Sequence, residues 1–433
     1  MLNPKQPQVE EKEDPYIVDL PTSDQSESEH DDMENVNPVK PTKHPFSSYI
    51  VDEDDVPDSN DEYEDEYVDQ KSTYDQPIKY NPQPDDIFWN MPPLLLSYHQ
   101  AWKAKCYAIE MLRGSLEDSF QVLPNYLYNL RLSNPGSVTN IRMDNQGRFV
   151  MSYMSIGEAT RSFVNYARPV IIVDGAHLKS CYLGTNLIVV AMDANTGILP
   201  LAYGIGAGEN TDHWTWFFGN LRDSLQSSGC CIDNVTIISD RAPAIAAGIS
   251  IVFPELFHAL CARHLLGNLK SVSKRVKSYE WHYWKMCKAY RKSDFDHHYG
   301  ILSRRIPDST RTLTTVGLNR WSRHHADRVR YAYLTTNGAE FINALSLHAR
   351  KLPVTMLLEF FRASVQQWFW EHRNTADGLT TPVTPYAERK LGKRNRKSLT
   401  WSVKPISQVK FEIMDMKKGG KVNLQDKTCT CKQ

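Results

Sequence analysis

The stretch PVIIVDGAHLKSCYLGTNLIVVAMDANTGILPLAYG occupies residues 169–204. Its opening run, Val170 to Val173, is uniformly apolar and short, which reads as a buried strand. That strand ends on a carboxylate, Asp174, followed by Gly175. Asp-Gly is an ordinary turn signal. The other reading is that the strand exists to hold Asp174 still, and the choice depends on whether further carboxylates arrive at the same place. Downstream, NLIVVAMDANTGILPLAYGIG predicts two more strands around the turn residues Asp193 to Gly197.

The elements that follow supply those carboxylates. TDHWTWFFGNLRDSLQ reads as a helix with Thr211 or Asp212 as its N-cap. NVTIISD is a second short buried strand ending on an acid, Asp240. RAPAIAAGISIVF is helical, and LFHALCARHLLGNLK begins as a strand and turns helical. The order β-β-β-α-β-α-β is a mixed α/β layer, whose last two strands, joined by helical crossovers, should lie parallel to the first and beside it. Asp174 and Asp240 would then share one end of the sheet. Two carboxylates so placed repel each other unless a cation lies between them, and Mg²⁺ or Mn²⁺ takes oxygen ligands of this kind. Farther on, LTTNGAEFINALSLHARKLPVTMLLEFFRASVQQWFWEHR has a strong helical period. It sets Glu340 on one stripe with Asn343, Ala344 and Leu347, so a third carboxylate can face the sheet. Two strand-end aspartates and a helix glutamate suit a two-metal phosphoryl-transfer site.

Charge divides the chain. Residues 1–86 carry 25 Asp and Glu against 6 Lys and Arg, and residues 87–433 carry 44 basic against 26 acidic side chains. An acidic stretch such as VDEDDVPDSNDEYEDEYVDQ lacks the apolar surface to offset its ordering entropy, so 1–86 is expected to be a disordered tail. The basic remainder suits a polyanionic partner. SYHQAWKAKCYAIEMLRGSLEDSFQVLPNYLYNLRLSNPGS predicts two helices, making 87–150 a helical lead-in. The first residues carry no apolar secretory core, and no apolar run reaches the length of a membrane helix. Eight cysteines are too sparse for a disulfide scaffold of this size, so a reduced, intracellular protein is expected.

The words VDGAHLKSCYLGTNLIVVAMDANTGILPLAYGIGAGENTDHWTWFFGNL, ISDRAPAIAAGI, FHALCARHLLGNL and LTTNGAEFINAL together resemble the transposase domain of the Mutator-like (MuDR) elements of plants. The resemblance runs from about residue 98 to the C-terminus. It implies a ribonuclease-H-like core over about 165–375, with an all-helical insertion at about 271–330. It also implies Asp174, Asp240 and Glu340 as the catalytic, metal-holding acids, with two Mg²⁺ or Mn²⁺ ions. Cys261 and His264 match the family's C-x₂-H motif. They either contribute to a zinc site, which needs four ligands, or pack and support Asp240.

Residues 376–405 read as a basic linker containing ERKLGKRNRK, a nuclear localisation patch, a phosphate-binding strip or a solvated surface. Residues 406–433 resemble the two strands and Cys-x-Cys opening of a SWIM zinc finger. Cys429 and Cys431 match its first ligands, with Zn²⁺ expected only in a complete finger. The family's zinc-finger-like N-terminal module has no counterpart, so a truncated copy is expected. The resemblance implies a nuclear DNA transposase, with double-stranded DNA (transposon ends and target) as partner and homo-oligomerisation left open. The alternative is a domesticated or degenerate, DNA-associated regulator without catalysis.

Overall fold

The computed structural model of the chain describes residues 115–179, 184–416 and 418–430. The acidic stretch 1–86 and the first expected lead-in helix lie outside the described residues.

Helix α1 (Leu116–Ser133) is capped by Ser115, whose side chain accepts from the Asp118 amide. The chain then makes a hairpin, β1 (Val138–Met143) and β2 (Phe149–Ser155). Asp144 shapes its turn by accepting the amides of Gln146 and Arg148, and Gly147 supplies the positive φ of 77°. This corrects the helical lead-in expected over 87–150. Only its middle is helical among the described residues, because 138–155 alternates around an Asn-Gln-Gly turn and pairs with the main sheet.

Helix α2 (Gly157–Tyr166) leads to β3 (Val170–His177), β4 (Thr185–Met192) and β5 (Ile198–Gly206). Every residue of β4 and β5 is buried, which explains their unbroken apolar character: both faces of the sheet are covered. The turn between them is closed by Asp193, whose carboxylate accepts the amides of Asn195 and Gly197. Helix α3 (Thr211–Ser227) follows, then β6 (Thr236–Ser239), α4 (Pro243–Val252) and β7 (Phe257–Leu260). The N-cap of α3 is Asn210, one residue before the expected pair; its carboxamide oxygen accepts the His213 amide at 2.9 Å.

The seven strands order as β1-β2-β5-β4-β3-β6-β7. The first five are antiparallel, while β6 pairs parallel with β3 and β7 parallel with β6. The crossovers through α3 and α4 impose that parallel direction, as the sequence predicts. The structure is therefore α/β with a mixed sheet.

Beyond β7 come α5 (Ala262–Val272), α6 (Glu280–Lys288), α7 (Lys292–Arg305), α8 (Pro307–Val316) and the short α9 (Leu318–Trp321). They close around a second core holding Tyr283, Phe295 and Trp321. Arg330, 2% exposed, ties this body to the sheet by donating to the carbonyls of Tyr333, Arg320 and Leu260. The chain returns through α10 (Asn337–Leu345), and Pro353 precedes α11 (Val354–Asp377). Helix α11 covers one face of the sheet, where Phe361 stacks on Tyr203 at 3.8 Å. Helix α3 covers the other: a Cβ on Gly204 would lie 2.7 Å from the Phe217 ring, so this close approach needs glycine.

The stretch read as a basic linker forms helix α12 (Pro385–Ser398), capped by Thr384. It is followed by a four-stranded antiparallel sheet of β8 (Ser402–Pro405), β9 (Lys410–Asp415), β10 (Lys418–Asn423) and β11 (Thr428–Cys429), where two strands were expected. No described helix is long and apolar enough to cross a membrane.

Candidate active site

The register of the parallel strands decides where the acids fall. Val170 pairs with Thr236, Ile171 with Ile237 and Ile172 with Ile238. Carried two residues on, the same register sets Asp174 level with Asp240. Between β6 and β7, Ser239 pairs with Leu260, so Cys261 is the next residue in the row. Asp174, Asp240 and Cys261 thus stand side by side across three neighbouring strands. Where a strand ending on Asp174 was expected, β3 runs on to His177, because Asp174 to His177 keep pairing with β4.

Helix α10 lies over the face on which Asp174 projects. A Cβ on Gly338 would meet Ile172, Val190 and Met192 at 3.5–3.6 Å, and Ile172 shares its strand face with Asp174. From this helix Asn343 donates to the Asp174 carboxylate at 2.7 Å. One turn before it, Glu340 accepts a 2.7 Å hydrogen bond from the Thr336 hydroxyl and lies 3.8 Å from His264 Nε2. Burial pushes the Asp174 carboxyl up to about 7; Asn343 opposes the shift, and the charges of Asp240 and Glu340 add to it. His264 is raised to about 9, first by Cys261 beside it, against its own burial, and then by Glu340 and Asp240. The three acids and the histidine therefore share one electrostatic neighbourhood.

Residues 170–268 match the family model of the MULE transposase domain. That segment is similar to the transposase domain of Mutator-like elements. The match takes in Asp174, Asp240, Cys261 and His264 and ends before Glu340. No curated protein matches the chain. A transposase domain implies DNA as a partner in general terms.

The donor set, which joins Asp174 and Asp240 of the matched segment to Glu340 and Asn343 beyond it, fits hard divalent cations. Three carboxylates converge, one of them with a raised proton affinity that a bound cation would lower, and the carboxamide oxygen of Asn343 is buried with no partner. A second donor group, Cys261, His264 and Glu340, has ligand atoms within 4.8 Å of one another. The fully buried Cys261 sulfur is already engaged, accepting from the His264 amide and from both the amide and hydroxyl of Thr336 at 3.3–3.5 Å. Those bonds make the sulfur the N-cap of α5 and a tie to α10. At the other end of the chain, Cys429 is disulfide-bonded. Cys431 lies outside the described residues.

Two residues escaped the sequence reading. Thr336, fully buried, gathers Cys261, His264 and Glu340 around one hydroxyl. Its position four residues ahead of Glu340 was the available signal. Arg350 reaches back to donate to the carbonyls of His177 and Asn343, clamping the end of β3 to α10. No local pattern announces that clamp, because the partners are 173 and 7 residues away.

Proposed function

We propose that the chain is a DNA transposase of the DDE kind, cutting phosphodiester bonds at element ends and joining the freed ends to target DNA. The observation that carries this reading is the level placement of Asp174 and Asp240 on parallel neighbours, with Glu340 on the helix above the same face. A ribonuclease-H-like core is the corresponding fold reading. It is supported by three antiparallel strands followed by two parallel ones, with acids on the first and fourth. The helical body between the second and third acids supports it as well.

Mg²⁺ or Mn²⁺, held by Asp174, Asp240 and Glu340, would supply charge neutralisation and an activated water. The chain's own residues set the geometry. Asn343 aims Asp174, Thr336 aims Glu340, and the loop after Asp240 is fixed by that carboxylate accepting the Ala242 amide at 2.9 Å. His264, half-exposed at the rim, holds its proton through neutral pH and offers a cation to a phosphate oxygen. Such chemistry belongs to the nucleus, where the resemblance sets it.

The test is cleavage of duplex DNA carrying the element's terminal repeats, with Mn²⁺ and purified protein. Asp174→Asn, Asp240→Asn and Glu340→Gln should each lower the rate by on the order of 10³-fold, the scale for removing a charge-stabilising group. Cleavage that survives all three substitutions would remove the reading.

A further inference from the structure

A groove of about 680 Å³ opens at the start of β3, the opposite end from the acids. Its walls are the segment leading out of the helical body, the β4–β5 turn and helix α12. Six cationic side chains line it (Arg168, Arg323, Arg328, Arg330, Lys390 and Arg394) against one carboxylate, Asp327. Three of the cations lie over tyrosines. Arg168 stands 5.4 Å from the Tyr331 ring centre and 5.6 Å from that of Tyr386, Lys390 5.4 Å from Tyr386, and Arg323 4.5 Å from Tyr290.

Two features mark this as more than a solvated basic surface. Helix α12 is fixed: Tyr386 donates its amide to Asn195 at 2.9 Å, and Thr384 donates to the Ala194 carbonyl. Its Lys390 and Arg394 therefore face the groove in a set register. Tyr331 is the second feature. It is held at φ 52°, a left-handed conformation unfavourable for an aromatic residue, and is 39% exposed in the groove wall. Backbone strain that presents an exposed ring is a pointer to a function for that ring.

We propose that this groove binds the sugar-phosphate backbone of DNA flanking the cut. Guanidinium forks pre-set on aromatic rings match phosphate oxygens, and exposed tyrosine faces can pack against sugar or base. Six residues of strand separate Arg168 from Asp174, roughly 20 Å. At 3.4 Å per base pair, the bound phosphates fall at least about six base pairs from the acids. The inference rests on DNA being the substrate.

The test uses the full chain and a fluorescent duplex, with anisotropy read over a series of salt concentrations. Arg328→Ala, Lys390→Ala and Arg394→Ala, combined, should lower the slope of log K against log salt by about 2–3, at roughly 0.9 for each phosphate no longer neutralised. Tyr331→Asn should weaken binding while leaving the thermal midpoint unchanged or higher, since asparagine tolerates the left-handed backbone. An unchanged affinity and slope in the triple variant overturns the proposal. An affinity that rises there also overturns it, assigning the groove to the acidic residues 1–86 as a competing polyanion. Metal-dependent cleavage abolished in Asp174→Asn beside an unaltered triple variant sinks the groove alone. Groove-dependent binding by a wild type that never cleaves sinks the enzymatic reading alone.

Discussion

Replacing Asp174 with asparagine should stabilise the metal-free protein at alkaline pH. In the folded chain the Asp174 carboxyl keeps its proton up to about pH 7, whereas the unfolded chain releases it near 3.8. Between those values the folded state binds more protons, so stability falls as pH rises from about 4 to about 7. A difference of about three pH units corresponds to at most about 4 kcal/mol, and water at the rim reduces it to roughly 2–3 kcal/mol. Asparagine keeps the shape, and its carbonyl oxygen can still accept from Asn343, but it carries no charge to bury. His264 acts in the same direction in a higher window: its raised value favours folding below about 6.5 and that contribution disappears as pH climbs through 9. The comparison between wild type and variant isolates Asp174 from it. The assay is urea denaturation of both proteins in chelator, at pH 5 and pH 8. The expected result is a variant whose advantage grows by about 1–2 kcal/mol between the two, since pH 5 to 8 covers about two of the three units of the window. Added Mn²⁺ should then stabilise the wild type and not the variant. A variant no more stable than wild type at pH 8, or equal stabilisation of both by metal, would refute the reasoning.

Other consequences are equally measurable. Thr336→Val removes the hydroxyl shared by Glu340, Cys261 and His264, and should cut DNA cleavage about 10–100-fold, the scale for removing a group that orients a ligand. Its thermal denaturation should show a cost of only about 1–2 kcal/mol. Arg350→Met leaves the His177 and Asn343 carbonyls without their donor, and chemical denaturation should register a loss of roughly 2–4 kcal/mol. Metal affinity at the acids should weaken as pH drops below about 7, with proton release on binding visible in calorimetry run in two buffers. Cys261→Ser should leave the zinc content of purified protein unchanged, because the sulfur serves as a helix cap and hydrogen-bond acceptor. Stoichiometric zinc that disappears with that substitution would identify a core zinc site instead.

Much of the sheet was legible because its signals are local. The apolar runs before Asp174 and Asp240, the turn at Asp193 to Gly197, and the helices between the last strands each fit within a short window, and right-handed crossovers leave little choice about neighbours. The hairpin of β1 and β2 was missed because β1 is half-polar and half-exposed at the sheet's edge, so its pattern does not stand out from a loop. The anchored helix α12 was hidden for a related reason. Its composition is that of a solvated linker, and only the Asn195 and Ala194 hydrogen bonds, some 190 residues distant, hold it in place.

The amino-acid sequence by itself determined which acids directly follow buried apolar runs, because such a run with a carboxylate after it reads the same in any context; that β3 continues past Asp174 was not among its local signals. The tertiary structure alone decided that the Asp174 and Asp240 strands keep a register that sets those two acids level, and that Glu340 faces them rather than solvent. It also decided that Thr336 and Arg350 brace the group. Register and facing depend on the packing of α10 against Ile172 and Val190 and on hydrogen bonds between residues far apart in the chain. No local pattern encodes those interactions.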